Sequence, residues 1–163
     1  MNRKPAGILT AAEMREKRQR FTQGLNPGSE FQICRLGIRG GLERTGVSIA
    51  WIDPGKESFA YHAHRFEEEW IFIVEGRAVC RIDGKEVMLN AGDFAAFPTP
   101  SVPHLLQNPF DRACAYLMGG ERREVDVIDY PDIGKTSVLH GSESGTDFSE
   151  MAAPIRPFRP MEP

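Results

Sequence analysis

The sequence is short of several things at once. It holds only 3 cysteines in 163 residues, and Cys34, Cys80 and Cys114 are widely spaced with no Cys-x-x-Cys pair. That excludes a disulfide scaffold or a thiolate-built zinc module, and leaves them as reduced structural thiols. No apolar run approaches the length that spans a bilayer. The amino terminus lacks the positive, apolar, small-residue order of a secretory signal, so a cytoplasmic location is expected. Excess positive charge is lacking too: 20 Lys and Arg stand against 23 Asp and Glu, a formal net charge of -3, which offers no general field for nucleic acid. What remains is a chain long enough for one domain with a sizeable core and too short for two.

The first residues carry no apolar period. Thr10-Ala-Ala-Glu13 fits a capping box, in which the Thr10 hydroxyl and the Glu13 carboxylate satisfy free amides reciprocally, so a short helix is expected to run to about Thr22. Arg15, Lys17, Arg18 and Arg20 along it are interspersed with Glu13 and Glu16 and read as a solvated face rather than an anion site. Asn26-Pro-Gly-Ser29 closes the arm with turn chemistry.

From Phe31 the period changes to two. Short strands are expected at 31–38, 46–53, 58–64, 70–74, 77–82, 85–89, 93–97, 103–108, 113–118 and 125–130, separated by turn residues. Asp83-Gly84 is the clearest hairpin, since a two-residue type I′ turn needs positive φ at both positions. Many short strands at this spacing imply an all-β, antiparallel barrel or jelly roll with a short N-terminal helix. The expected division is an arm over 1–29, a barrel over 30–140 and an extended or disordered tail over 141–163. The tail's only large anchors are Phe148, Ile155 and Phe158.

The chemistry concentrates in His62-Ala-His64-Arg-Phe-Glu67-Glu68-Glu69-Trp70. Side chains alternate faces along a strand, so His62 and His64 point the same way, roughly 6–7 Å apart, and both rings can lean onto one ion. Neighbouring carbonyls satisfy such a pair equally well. A turn at Arg65-Phe66 would return a carboxylate beside them, and Glu67, Glu68 and Glu69 compete for that place. Glu69 is preferred because it opens the β-branched and aromatic run Trp70–Val74, where a strand holds it rigidly; Glu67 and Glu68 then read as solvated turn residues. A third histidine, His104, follows the turn-rich stretch Gly92 to Pro103.

Together these stretches resemble the paired motifs of the cupin superfamily. The first motif is matched by Gly55, His62, His64, Glu69 and Gly76, with four residues between His64 and Glu69 and six between Glu69 and Gly76; the second is matched by Gly92, Pro98, His104 and Asn108. The gap from Gly55 to His62 is one residue longer than the family pattern. Pro100 stands where the second motif has glycine, with one extra residue before His104. The resemblance implies a double-stranded β-helix, the cupin jelly roll, in which His62, His64, Glu69 and His104 hold one divalent metal ion per chain.

Three imidazoles and a carboxylate suit Fe, Mn, Ni, Co or Zn as the divalent ion, and ligand type alone does not choose among them. Four protein ligands on an octahedral ion leave two positions for chemistry. Parity puts Ile71 and Ile73 inward with Glu69, Leu106 and Asn108 inward with His104, and Cys80 on the same interior; Tyr61, Arg65 and Phe97 flank ligands, where barrel-edge packing explains them equally well, and the expected substrate-pocket lining is Tyr61, Ile71, Ile73, Cys80, Leu106 and Asn108. Trp70 and Phe72 point the other way, under the arm or into an interface, and cupins commonly dimerise, so a homodimer is expected. The expected function is a metal-dependent enzyme on a small oxygen-bearing substrate, with dioxygenase chemistry placed ahead of redox-neutral isomerase or lyase chemistry. A non-catalytic small-molecule-binding cupin is the third reading. Neither nucleic acid nor membrane is an expected partner.

Overall fold

The computed structural model describes residues 6–140 and the backbone of 143–150. Its strands form antiparallel pairs throughout. The six-stranded sheet contains β1 (Gln19–Thr22), β2 (Glu30–Arg35), β3 (Thr45–Ile52), β11 (Cys114–Glu121), β6 (Glu69–Glu75) and β9 (Phe94–Phe97), in that order. A four-stranded sheet contains β4 (Lys56–Glu57), β10 (His104–Asn108), β7 (Arg77–Ile82) and β8 (Lys85–Asn90). The inward rows of these two sheets share one core, in which Ile52, Ile73, Ala78, Cys114 and Tyr116 are almost completely buried. The last sheet contains β14 (Glu143–Glu150), β13 (Lys135–His140), β12 (Val125–Tyr130) and β5 (Ala63–His64).

Local chemistry explains the sharpest turns. Asp83 (φ 48°) and Gly84 (φ 71°) both have positive φ, and Ile82 pairs with Lys85 across them, as the type I′ hairpin requires. The chain passes from β6 in the first sheet to β7 in the second through Gly76 alone. There φ is +76°, and a Cβ would come within 2.6 Å of the Ala113 carbonyl oxygen, so no other residue fits without displacing backbone.

Several expectations need correction. The Thr10 capping box forms, but its helix, α1, spans only Ala11–Glu16 and buries none of its residues. With no apolar face to dock, it stops where Phe21 gains more from the sheet. As part of β1, Phe21 packs on Phe31 and Phe59 at centroid distances of 5.1 and 5.4 Å. The strand expected over 31–38 ends at Arg35 and gives way to a helical turn, α2 (Leu36–Gly40), closed by Gly41 in the left-handed region. Of 58–64 only Ala63–His64 is strand; His62 adds an isolated bridge to His104. Beyond Tyr130, where the pattern fades, β13 and β14 extend the sheet that holds β5. Ile155 and Phe158 lie outside the described residues. Among the described residues no helix is long and apolar enough to cross a membrane.

Candidate metal centre

Each expected ligand is delivered by a different constraint. The His62 and His104 backbones bond each other reciprocally, His62 N–H to the His104 carbonyl at 3.2 Å and His104 N–H to the His62 carbonyl at 2.8 Å, which places the two imidazoles side by side. His64 belongs to β5 and is registered against Ile128 of β12. Glu69 opens β6 between Phe97 and Gly120. A Cβ on Gly120 would lie 3.1 Å from the Glu69 Cγ, so glycine leaves that side chain its room. The Phe97 ring stacks flat on His104 at 3.5 Å between centroids, fixing the imidazole plane.

The four side chains converge. Glu69 Oε2 lies 3.2 Å from His64 Nε2, 3.2 Å from His104 Nε2 and 3.6 Å from His62 Nε2. The opposite ring nitrogens are all engaged by acceptors: His62 Nδ1 by the Ala60 carbonyl at 2.8 Å, His104 Nδ1 by the Val102 carbonyl at 3.1 Å, and His64 Nδ1 by Asp126 Oδ2 at 2.5 Å. Each Nδ1 has an acceptor for the proton of a neutral ring, so with a cation bound each Nε2 would be left to turn a lone pair toward it. Three lone pairs facing an anionic oxygen repel unless positive charge lies among them. Ligand atoms about 2.1 Å from a common ion stand about 3.0 Å apart at octahedral cis angles and about 3.4 Å apart at tetrahedral ones, so the donor set fits one divalent cation.

The titration behaviour expresses the same demand. Burial and the neighbouring imidazoles lower the His62 pKa. Burial also opposes charge on His64, but Glu69 and Asp126 outweigh it and raise that ring to about 10. Glu69 falls well below the usual carboxylate range: burial works against ionisation, and His64 with the hydrogen bonds from His104 and His62 overcomes it.

The donor atoms of His62, Glu69 and His104 lie within 4.8 Å of one another, whereas His64 groups with Glu67 and Asp126 in a second, adjoining cluster. Its groups are committed to hydrogen bonds: Asp126 also accepts the Phe66 N–H at 3.0 Å, and Glu67 Oε1 accepts the Arg123 N–H at 2.6 Å. It orients His64 rather than offering free ligands. Glu67 is half-buried, unlike the solvated turn residue expected, and burial raises its pKa.

Above the four side chains opens a cavity of about 690 Å³. Ile71, Cys80 and Leu106 line it as parity suggests. The Cys80 thiol is pushed up to about 11 by burial, which suits a packing role. Three other expected lining residues sit elsewhere. Tyr61 is buried with its hydroxyl accepting the Gly84 N–H at 2.8 Å and its ring under Arg81, so it braces the hairpin. Ile73 is wholly inside the core. Asn108 donates to the Ile52 and Arg112 carbonyls at 2.8 Å each, holding a turn. Arg65 is also taken, by a bidentate pair with buried Asp129 at 2.6 and 2.9 Å. Sequence reading missed Phe21, Arg35, Tyr116 and Tyr130 in the cavity wall. Parity over β2 and β11 contained the signal for Arg35 and Tyr116.

Comparison with known proteins agrees with this geometry. The Cupin domain family matches residues 49–120. A candidate sugar phosphate isomerase from Acidithiobacillus ferrooxidans has a similar structure, with 32% identity, a TM-score of 0.84, and coverage of 94% of this chain and 97% of that one. The chain is a cupin. A sugar phosphate isomerase of the cupin superfamily from Silicibacter pomeroyi is similar over 87% of this cupin and 94% of its own chain, at 27% identity and a TM-score of 0.75. The tetracenomycin polyketide synthase protein TcmJ of Streptomyces glaucescens is 38% identical over 55 residues, 34% of this cupin. That match spans only 36% of the curated relative.

Proposed function

We propose that this cupin is a metal-dependent enzyme acting on a small oxygen-bearing molecule, with its sheets wrapped as the double-stranded β-helix and its ion held by His62, His64, Glu69 and His104. The observation that carries the proposal is the convergence of three imidazole Nε2 atoms on Glu69 Oε2 beside a largely apolar cavity. A bound divalent ion supplies Lewis acidity to a substrate oxygen. The chain's part is to orient the imidazoles through their Nδ1 partners and to limit water with Ile71, Leu106 and Phe59.

Redox-neutral isomerisation is the favoured chemistry, because two structures similar over 87% or more of this chain at 27% identity or more are described as a sugar phosphate isomerase and a candidate one. Oxygen chemistry, the preference from sequence, is the second reading, supported by the apolar cavity wall. Elemental analysis of protein purified without added metal separates them, combined with oxygen uptake and with solvent-deuterium exchange into sugar phosphates. About one metal ion per chain with exchange and no uptake is expected. Iron with oxygen uptake transfers the assignment to the dioxygenase reading, and absence of metal removes both in favour of a non-catalytic binding protein.

The same proposal includes a homodimer. Phe72 and Val74 are exposed on the outer face of β6, Phe94 pairs with Phe72 in register, and the Trp70 ring lies 6.2 Å from that of Phe94. The described part of the N-terminal arm does not bury Phe72 or Phe94. Light scattering is expected to give twice the 18.2 kDa chain mass, with Phe94→Glu shifting it toward the monomer; a monomeric wild-type protein overturns the dimer. The three cysteines, all unpaired and buried, fit the reducing cytoplasm.

A further inference from the structure

We infer that Arg35 is the anchor for an anionic end of the substrate, a phosphate or carboxylate, held in the cavity away from the metal-binding end. The inference deepens the proposal that this cavity is the substrate site. On β2, Phe31 and Ile33 form an inward row and are both buried. Arg35 continues that row at its exposed end, where the strand stops, and its side chain borders the cavity. Ser48 of β3 pairs with Arg35 in register and lines the same cavity, adding a hydroxyl to its wall.

Arg35 is uncommitted in a way that other arginines around the site are not. Arg65 is paired with Asp129, Arg81 with Asp132 and Arg123 with Glu121. Among the described residues Arg35 has no carboxylate within ion-pair distance; its guanidinium meets only the Phe21 ring, at 5.9 Å. Among the described residues it is the single lysine or arginine lining the cavity, and Glu69 is the single carboxylate. With a divalent ion on the four ligands, Glu69 is more than neutralised, and the cavity of a chain with net charge -3 is positive at both ends. Low-dielectric walls focus such a field onto an anion.

The spacing suits a short bifunctional ligand. Arg35, Ser48, Met118 and Ile71 are partners in register across β2, β3, β11 and β6. Three strand intervals of about 4.8 Å put Arg35 roughly 14 Å from β6 along the sheet. A long arginine side chain and a molecule a few carbons in length bridge that interval together, with the molecule's oxygen-bearing end toward Glu69.

The test titrates metal-loaded protein by calorimetry with inorganic phosphate, with succinate and with glycerol as the uncharged control, in wild type, Arg35→Gln and Arg35→Lys. At least one anion is expected to bind wild type while glycerol does not. Arg35→Gln is expected to weaken that anion about tenfold or more, and Arg35→Lys by less, with metal content and thermal midpoint unchanged. Whether phosphate or succinate shows the larger loss identifies the anionic group. Equal anion affinity in wild type and Arg35→Gln overturns the inference, as does the absence of anion binding to wild type. If the protein never holds metal, yet still binds the anion through Arg35, the anchor stands and the metal reading fails.

Discussion

Glu69→Gln and His104→Ala are each expected to lower bound metal from about one ion per chain to below about one tenth, while the protein stays folded. Both residues are ligands under the proposal, so the loss in affinity should exceed the roughly 10–100-fold range that accompanies changes to groups behind the ligands. Glu69 is the sharper probe. Its Oε2 is the point on which all three Nε2 atoms converge, and it is the only anionic donor of the set. Glutamine keeps the shape but removes the charge that favours a cation among three imidazoles. The fold should survive, because β6 is held by pairing with β11 and β9, and β10 by pairing with β7, with Leu106 buried beneath. Elemental analysis and thermal unfolding on the same preparations decide the matter. Metal retained at wild-type level removes the four-ligand site, and collapse of the fold in both variants makes the ion a structural one.

Much of that site is legible from sequence because it depends on local rules. Period two makes His62 and His64 share a face, and the Trp70–Val74 run singles out Glu69 from three adjacent glutamates. Asp83-Gly84 and Gly76 show their turns because positive φ limits which residues fit. What stayed hidden depends on groups far apart in the chain. Asp126 lies 62 positions after the histidine it bonds, in a strand whose pattern gives no hint of that partner. Tyr61 and Asn108 show why nearness to a ligand is insufficient: Tyr61 flanks His62 and Asn108 shares the parity of His104, but each is consumed by a turn's backbone and neither lines the cavity. The N-terminal helix was overextended for a similar reason. Capping chemistry marks where it starts, whereas its end is set by an aromatic cluster with Phe31 and Phe59.

Asp126→Asn is expected to weaken metal binding by about 10–100-fold without touching a ligand. The carboxylate is buried, and its two oxygens do different things: Oδ2 takes the His64 Nδ1 proton at 2.5 Å, and Oδ1 takes the Phe66 N–H at 3.0 Å. An asparagine has one acceptor for these two donors. If its oxygen stays on Phe66, its amide donates to His64 Nδ1, which moves the ring proton to Nε2 and blocks the nitrogen that faces Glu69. If its oxygen turns to His64, the amide opposes the Phe66 N–H, and the turn carrying His64 toward Glu69 loses a bond. Either arrangement weakens the site, and nitrogen-detected NMR of the imidazoles distinguishes them by the position of the ring proton. Glu67→Gln provides the contrast: if Asp126 acts by orienting His64, that change leaves metal affinity close to wild type. If Glu67→Gln and Asp126→Asn instead lower it equally, the ion belongs to the neighbouring cluster of His64, Glu67 and Asp126. Competition with a chromogenic chelator reads both variants on one scale, and wild-type affinity in Asp126→Asn would remove its role in setting the His64 tautomer.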